Sequence, residues 1–183
     1  ETGTPVPTVG QKRSIDQILQ AGWYLLELIN EILDLALIES GKLSLSPEPV
    51  AIGGVMAECQ AMIQPQAEKR NISVCFPPFD VPHYLKGDRI RIKQVLINLL
   101  SNAIKYNKEG GTVQVTCKAL DATRLRIEVQ DTGDGLSAPK LAQLFQPFNR
   151  LGQEAYAEEG TGIGLVVCKR LVELMGGVIG VES

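Results

Sequence analysis

Thr112-Val-Gln-Val-Thr-Cys-Lys118 and Leu125-Arg-Ile-Glu-Val-Gln-Asp131 decide the fold. In both runs apolar and polar side chains alternate, the period of a half-buried strand. The short polar turn between them makes the pair an antiparallel hairpin. Working outward, Ile72-Ser-Val-Cys-Phe76 reads as a further strand, and 178–182 as a last one. Asp88 caps a helix running to about Tyr106, with Ile92, Val95, Leu99 and Ala103 on its apolar side. Ile52, Val55, Met56, Cys59 and Ile63 recur at helical spacing, and Pro65 is expected to kink that helix or tighten its last turn. The segment carrying Pro47 and Pro49 reads as a turn, and the Pro-rich stretch around His83 as a loop. A short helix is expected near 138–144, an irregular polar stretch at 149–160 and a last helix over 163–175. Neighbouring strands form a hairpin instead of parallel crossovers. The fold class is therefore α/β, a two-layer sandwich of a mixed sheet and helices.

The N-terminal third is different in kind. Residues 1–13, rich in Pro, Gly and Thr, read as a flexible lead-in. Ser14 is then expected to cap a long helix over 14–40 that Gly41 stops. Its apolar stripe is Ile15, Ile18, Leu19, Leu25, Leu26, Ile29, Ile32, Leu33 and Ala36, wide enough for a bundle. Burying those side chains offers on the order of 10–25 kcal/mol as an upper bound. Folding back on the sandwich would bury them; self-association into a dimer is the favoured expectation. The domains expected are thus a lead-in at 1–13, a helical segment at 14–46 and a sandwich at 47–183.

Composition narrows the function. Eighteen basic against 21 acidic residues give a net charge of −3, so no basic field exists for nucleic acid and no cationic face for a membrane. Apolar residues at 44% support a core, and aromatics at 5% leave Leu, Ile and Val to fill it. Cys59, Cys75, Cys117 and Cys168 form no CxxC pair and are expected as buried thiols in a reducing compartment. His83 is the sole histidine, which excludes a His-rich metal site. No uncharged span reaches the length of a membrane helix and no signal peptide opens the chain, so a cytosolic setting is expected.

Three constellations carry chemistry. Asp131-Thr-Gly133-Asp-Gly135 leaves a strand, and its carboxylate suits an exocyclic amine such as that of adenine. An ordinary turn aspartate has the same look. Gly160-Thr161-Gly162-Ile163-Gly164-Leu165 opens a helix and lets backbone approach an anion at the helix start. It is neither a dinucleotide fingerprint nor a P-loop, and alone it equally suits a plain helix entry. Asn98, Asn102 and Lys105 fall at i, i+4 and i+7, one stripe on a helix. Amide oxygens with an ammonium one turn on suit a magnesium–phosphate group, though a solvated polar face has the same spacing.

The order of these elements is informative. Asn98-Leu-Leu-Ser-Asn102-Ala-Ile-Lys105-Tyr106-Asn107 resembles the N box of sensor histidine kinases, and Asp131–Leu136 their first glycine box. Phe145-Gln-Pro-Phe148 resembles their F box, and Gly160–Leu165 their second glycine box. The helix ending in Glu39-Ser-Gly41-Lys42-Leu43 is similar to the second helix of their dimerisation domain. The match covers residues 14–183 and is similar to the bacterial hybrid type.

The resemblance implies the Bergerat ATP-binding fold, preceded by a long dimerisation helix. It implies ATP and Mg²⁺ as cofactors, with Asn98 and Asn102 holding the metal and Lys105 meeting phosphate. Tyr106 would line the adenine and Asp131 accept from it, in a pocket shaped by Gly133 and Gly135. Gly160, Gly162 and Gly164, with Thr161 and Leu165 in the same box, would flank the phosphates. Phe145 and Phe148 belong to the same nucleotide site, and Arg150 matches an arginine that approaches the γ-phosphate. The implied activity is transfer of the ATP γ-phosphate to a histidine on a dimerisation helix that lies outside this sequence. His83 is not that histidine; it reads as a surface or packing residue. The missing first helix, and the ending at Ser183 before a further turn and edge strand, read as signs of a fragment. Expected partners are a second copy through helix 14–40, a phosphoacceptor helix and a response regulator receiver domain. Neither nucleic acid nor direct membrane contact is expected. The expected location is cytoplasmic, either free or as the cytosolic part of a membrane-anchored receptor. Position 98 is Asn where the related chaperone, mismatch-repair and gyrase ATPases carry a water-activating glutamate, so strong ATP hydrolysis is the lesser expectation. The rival reading is a nucleotide-binding or degenerate scaffold that dimerises and docks a response regulator without catalysis.

Overall fold

The computed structural model describes residues 8–78, 83–149 and 161–183. A long helix α1 (Val9–Glu39) precedes strand β1 (Glu48–Ala51), helix α2 (Ile52–Lys69) and strand β2 (Ser73–Cys75). Strand β3 (Tyr84–Gly87), helix α3 (Arg89–Lys105) and the hairpin β4 (Thr112–Ala119) and β5 (Leu125–Asp131) follow. A single-turn α4 (Ala138–Leu141) and helix α5 (Gly164–Leu174) complete the order.

The hairpin forms as its alternation predicts, with β4 antiparallel to β5 and Val115 opposite Val129. Asp121 closes it, accepting from the Thr123 N–H at 2.8 Å and from Arg124 Nε at 2.7 Å. β2 runs parallel to β4, so the three-stranded sheet β2-β4-β5 is mixed and the expected fold class holds. Val113 and Val115 of β4 are buried with α2 residues Ile52, Met56, Cys59 and Ile63 and α3 residues Leu96, Leu100 and Ile104. α2 runs through Pro65 to Lys69 without ending there. A second cluster joins Val95 of α3 to Ile163, Val167, Cys168 and Leu171 around α5.

Several sequence expectations need correction. α1 begins at Val9, because Thr8 and Gln11 make a reciprocal capping box upstream of Ser14. The helical segment therefore takes in the end of the supposed lead-in. Gly41 does end it, with φ at +66°. The expected turn is in part strand β1: Pro47 precedes it and Pro49 lies within it, paired with β3, which leaves the loop beside His83. The His83 carbonyl accepts the first N–H of α2 from Ile52 at 3.0 Å. Residues 178–182 form no strand, although Ile179 packs on the α5 cluster. Their apolar pattern suits a strand, but no hydrogen-bonded ladder joins them to β5 among the described residues. Cys59 and Cys168 are buried thiols, pushed up to about 11 and about 12 by burial. Cys75 is exposed, contrary to expectation.

The α1 stripe from Ile15 to Leu33 remains exposed. It is the other face, with Leu28, Leu35 and Ile38, that packs on the α5 cluster. None of the described helices is long and apolar enough to cross a membrane.

Asp88 ties two segments together: its Oδ1 accepts from the Ile90 and Arg91 N–H groups at 3.0 and 3.1 Å, and its Oδ2 from Ser46 N–H at 3.0 Å. The Ser46 bond, followed by those from Arg91 and Ile90, holds its carboxyl below the usual range. A depressed carboxyl stabilises the fold above its unfolded pKa, and that contribution is lost as pH falls through the folded value. Asp88→Ala is therefore expected to cost about 1 kcal/mol in urea denaturation at pH 7. The gap between variant and wild type should shrink in strong acid.

Candidate functional site at the ends of α3 and β5 and the start of α5

The site is assembled by α3, whose two apolar faces are both held. Asn98 and Asn102 lie at the edge of the α5-facing side, half-buried, and Asn102 Nδ2 donates to Asn98 Oδ1 at 3.0 Å. They do not form a solvated polar face. Gly164, the first residue of α5, comes so close that a Cβ there would lie 2.3 Å from Asn98 Nδ2 and 2.9 Å from Glu31 Oε1. Thr161 Oγ1 donates to the Glu31 carboxylate and accepts the Ile163 N–H at 3.2 Å, shaping the entry to α5. Glu31 thus reaches from α1 into the N box and second glycine box. Burial pushes its carboxyl up, as do Glu27 and Asp34, while the Thr161 bond and Lys105 oppose the rise. Three residues on, Asp34 accepts from Arg91 Nη1 at 2.8 Å and from Gln94 Nε2 at 2.7 Å, fastening α1 to α3.

The opposite wall stands at the end of the hairpin. Asp131 pairs with Val113, whose side chain is buried in the core, so the carboxylate emerges on the helix-facing side of the sheet. Its Oδ1 accepts the Gly133 N–H at 2.8 Å. A Cβ on Gly133 would lie 2.6 Å from the Tyr106 carbonyl oxygen, so only glycine allows the strand end to approach the C-terminus of α3. Lys105 Nζ stands 5.0 Å from the centre of the Tyr106 ring. Gly135 has φ at +72° and its neighbour Leu136 donates to Ser183 Oγ at 2.6 Å.

The F box meets the second glycine box directly. Phe148, at φ +61°, donates its N–H to the Gly162 carbonyl at 3.1 Å. Gly162, at φ +71°, has the Phe148 and Asn149 backbone within 3.2 Å of its Cβ position. Phe145 lies under Lys169, whose Nζ is 5.1 Å from the ring centre. Leu165 follows Gly164 in the first turn of α5. Arg150 and Gly160 lie outside the described residues.

Glu31, Asp34, Asn107 and Thr132 belong to this region and were not foreseen. Asn107 is buried; its Nδ2 donates to the Thr112 carbonyl at 3.0 Å and its Oδ1 accepts from Thr132 Oγ1 at 3.1 Å. That link ties the end of α3 to the end of β5. The sequence signal for Asn107 was its place at the end of the run that resembles the N box, to which no role was attached. In the sequence Glu31 and Asp34 do no more than break any uncharged span of membrane length, and only the docking of α1 gives them a place. Among the described residues no cluster of three or more His, Cys, Asp or Glu side chains exists to hold a metal.

With this geometry in view, residues 87–183 match the family described as histidine kinase-, DNA gyrase B- and HSP90-like ATPases. The chain belongs to that family, and the resemblance to sensor histidine kinases holds. It is 42% identical over 165 residues to the sensor protein GacS of Pseudomonas syringae pv. syringae, covering 87% of this chain and 18% of that protein. It is 36% identical over 179 residues to the sensory/regulatory protein RpfC of Xanthomonas campestris pv. campestris, covering 94% of this chain and 25% of that protein. Full-length ShkA, solved in complex with AMPPNP, superposes with a TM-score of 0.82 at 30% identity, covering 98% of this chain and 37% of that one. ThkA, solved in complex with the response regulator TrrA, gives 0.69 at 26% identity, with 95% and 47% covered. The chain therefore spans only 18% and 25% of the length of these two curated relatives.

Gly133→Ala is expected to lose about 1–3 kcal/mol, because its Cβ would meet backbone that cannot give way. Gly54→Ala, inside α2 with nothing within 4 Å of its Cβ position, should gain about 0.5–1 kcal/mol. Thermal melting of the two variants checks the contrast.

Proposed function

We propose that this chain is the ATP-binding catalytic portion of a two-component sensor histidine kinase, transferring the γ-phosphate to a histidine on a phosphoacceptor helix outside it. The observation that carries the reading is the convergence of the Asn98–Asn102 pair with the glycine-led start of α5, across from Asp131 beside Tyr106. The residues fit a nucleotide: Asp131 Oδ1 takes the Gly133 N–H, and Oδ2 has no partner among the described residues. That oxygen would accept the adenine amine. Tyr106 would line the base, and Gly133 and Gly135 would keep the pocket open. Gly162 and Gly164 would bring backbone N–H groups close to phosphate, with Thr161 and Leu165 shaping the turn and Phe145 and Phe148 bracing it.

The donor set also fits Mg²⁺, since Asn98 and Asn102 offer neutral amide oxygens one helical turn apart. When bound, the ion supplies charge neutralisation on the phosphates. Lys105 would add a point charge there, and Arg150 is proposed for the γ-phosphate. Phosphoryl transfer to a neutral imidazole relies on positioning and charge, and requires no strong base from the protein. ShkA binding AMPPNP and ThkA binding TrrA support a nucleotide and a response regulator as partners here. The division into a helical segment up to residue 46 and a nucleotide-binding body over 47–183 is part of the same proposal. So is dimerisation through the exposed stripe of α1, which includes Ile18, Leu26 and Leu33.

Calorimetric titration of ADP, with and without Mg²⁺, tests the pocket. Asp131→Ala should weaken binding by about 10–100-fold, the value of a hydrogen bond to a charged group. Equal affinity in wild type and variant would reject the assignment. Transfer of labelled γ-phosphate to a separately supplied phosphoacceptor helix then tests the activity. Light scattering tests the dimer: the wild type should run as two copies and Leu26→Glu/Leu33→Glu as one.

A further inference from the structure

Glu31 is the one acidic side chain that α1 inserts among the residues assigned above to phosphate and metal. Thr161 of the second glycine box donates to its Oε2, and its Oε1 stands 2.9 Å from the Cβ position of Gly164, which Asn98 Nδ2 also approaches. The Glu31 carboxylate stands at the start of α5, where negative charge is favoured as it is for a phosphate, and it takes one donor there, the Thr161 hydroxyl. Glu31 is desolvated there, and Lys105 is close enough to act on its charge. Asp34 secures the same face of α1 through Arg91 and Gln94, outside the glycine box.

We infer that Glu31 is an internal competitor for the phosphate position, so that α1 docked through Glu31 and nucleotide phosphate seated at Gly164 exclude one another. The inference rests on the nucleotide reading above and adds a residue outside the matched 87–183 segment. Its consequence is reciprocal. Nucleotide lowers the hold of α1 on the body, and loosening α1 raises the affinity for nucleotide by the same factor. The helix carrying the exposed apolar stripe is thereby linked to the occupancy of the pocket.

The test compares ADP with adenosine, which has the base and no phosphate, by calorimetry in the presence and absence of Mg²⁺. Glu31→Gln and Glu31→Ala, each shown folded by thermal melting, should bind ADP about tenfold more tightly than wild type, as loss of a competing charge-assisted hydrogen bond requires. Adenosine affinity should not change. Asp34→Ala, which frees α1 without touching the glycine box, should shift ADP affinity in the same direction. Unchanged ADP affinity in both Glu31 variants would overturn the competition. A loss of ADP affinity confined to Mg²⁺-containing buffer would overturn it by making Glu31 a metal ligand. Failure of ADP and adenosine alike to bind any folded variant would instead overturn the nucleotide reading, and the competition with it.

Discussion

Helix α3 is buried on two sides at once, and the remaining structure is arranged around that constraint. Ile92, Leu96, Leu100, Ala103 and Ile104 enter the cluster formed with α2 and β4, while Val95 enters the cluster around α5. Each fully buried aliphatic side chain contributes about 1.5–3 kcal/mol, so neither face is free to rotate away. The helical pitch then places Asn98 and Asn102 at the polar edge of the α5-facing side, next to Val95. Because both sides are pinned, Asn98 is held against the start of α5, and the C-terminus of α3 at Tyr106 is held against Gly133 beyond β5.

The long helix α1 works differently, with one face docked and the other exposed. Leu28, Leu35 and Ile38 pack on the α5 cluster, and Glu31 and Asp34 make polar contacts on the same side. The opposite stripe, from Ile15 to Leu33, is exposed in a single chain. Of the two expectations for this helix, folding back is the one that the structure shows. It folds back on the body, but not with the residues whose hydrophobicity suggested that it would. Polar residues on the docked face carry the orientation, since two directional contacts fix register more tightly than apolar packing alone.

The elements that were misread share a physical cause. β1 and β3 are short, carry Pro49 and a bulky exposed Tyr84, and owe their existence to pairing with each other. Alternation over four residues cannot distinguish such a ribbon from loop. Residues 178–182 fail in the opposite sense, having the pattern of a strand without a paired edge. The start of α1 was displaced because Ser14 offers a cap by residue type, whereas Thr8 offers a complete reciprocal box with Gln11.

Local chemistry determined much of this protein from its sequence. Period-two alternation wrote the hairpin, Asp88 wrote the start of α3, and the spacing of Asn98, Asn102 and Lys105 placed them on one strip. The boxes in their order were enough to indicate the family. These features are legible because each depends on residues within a few turns of one another. Only the tertiary structure decided what surrounds them. Glu31 meets Thr161, Asp34 meets Arg91 and Asn107 meets Thr132 across long stretches of chain. Such contacts depend on how helices settle after their apolar faces are buried, and no periodicity in the sequence encodes that choice.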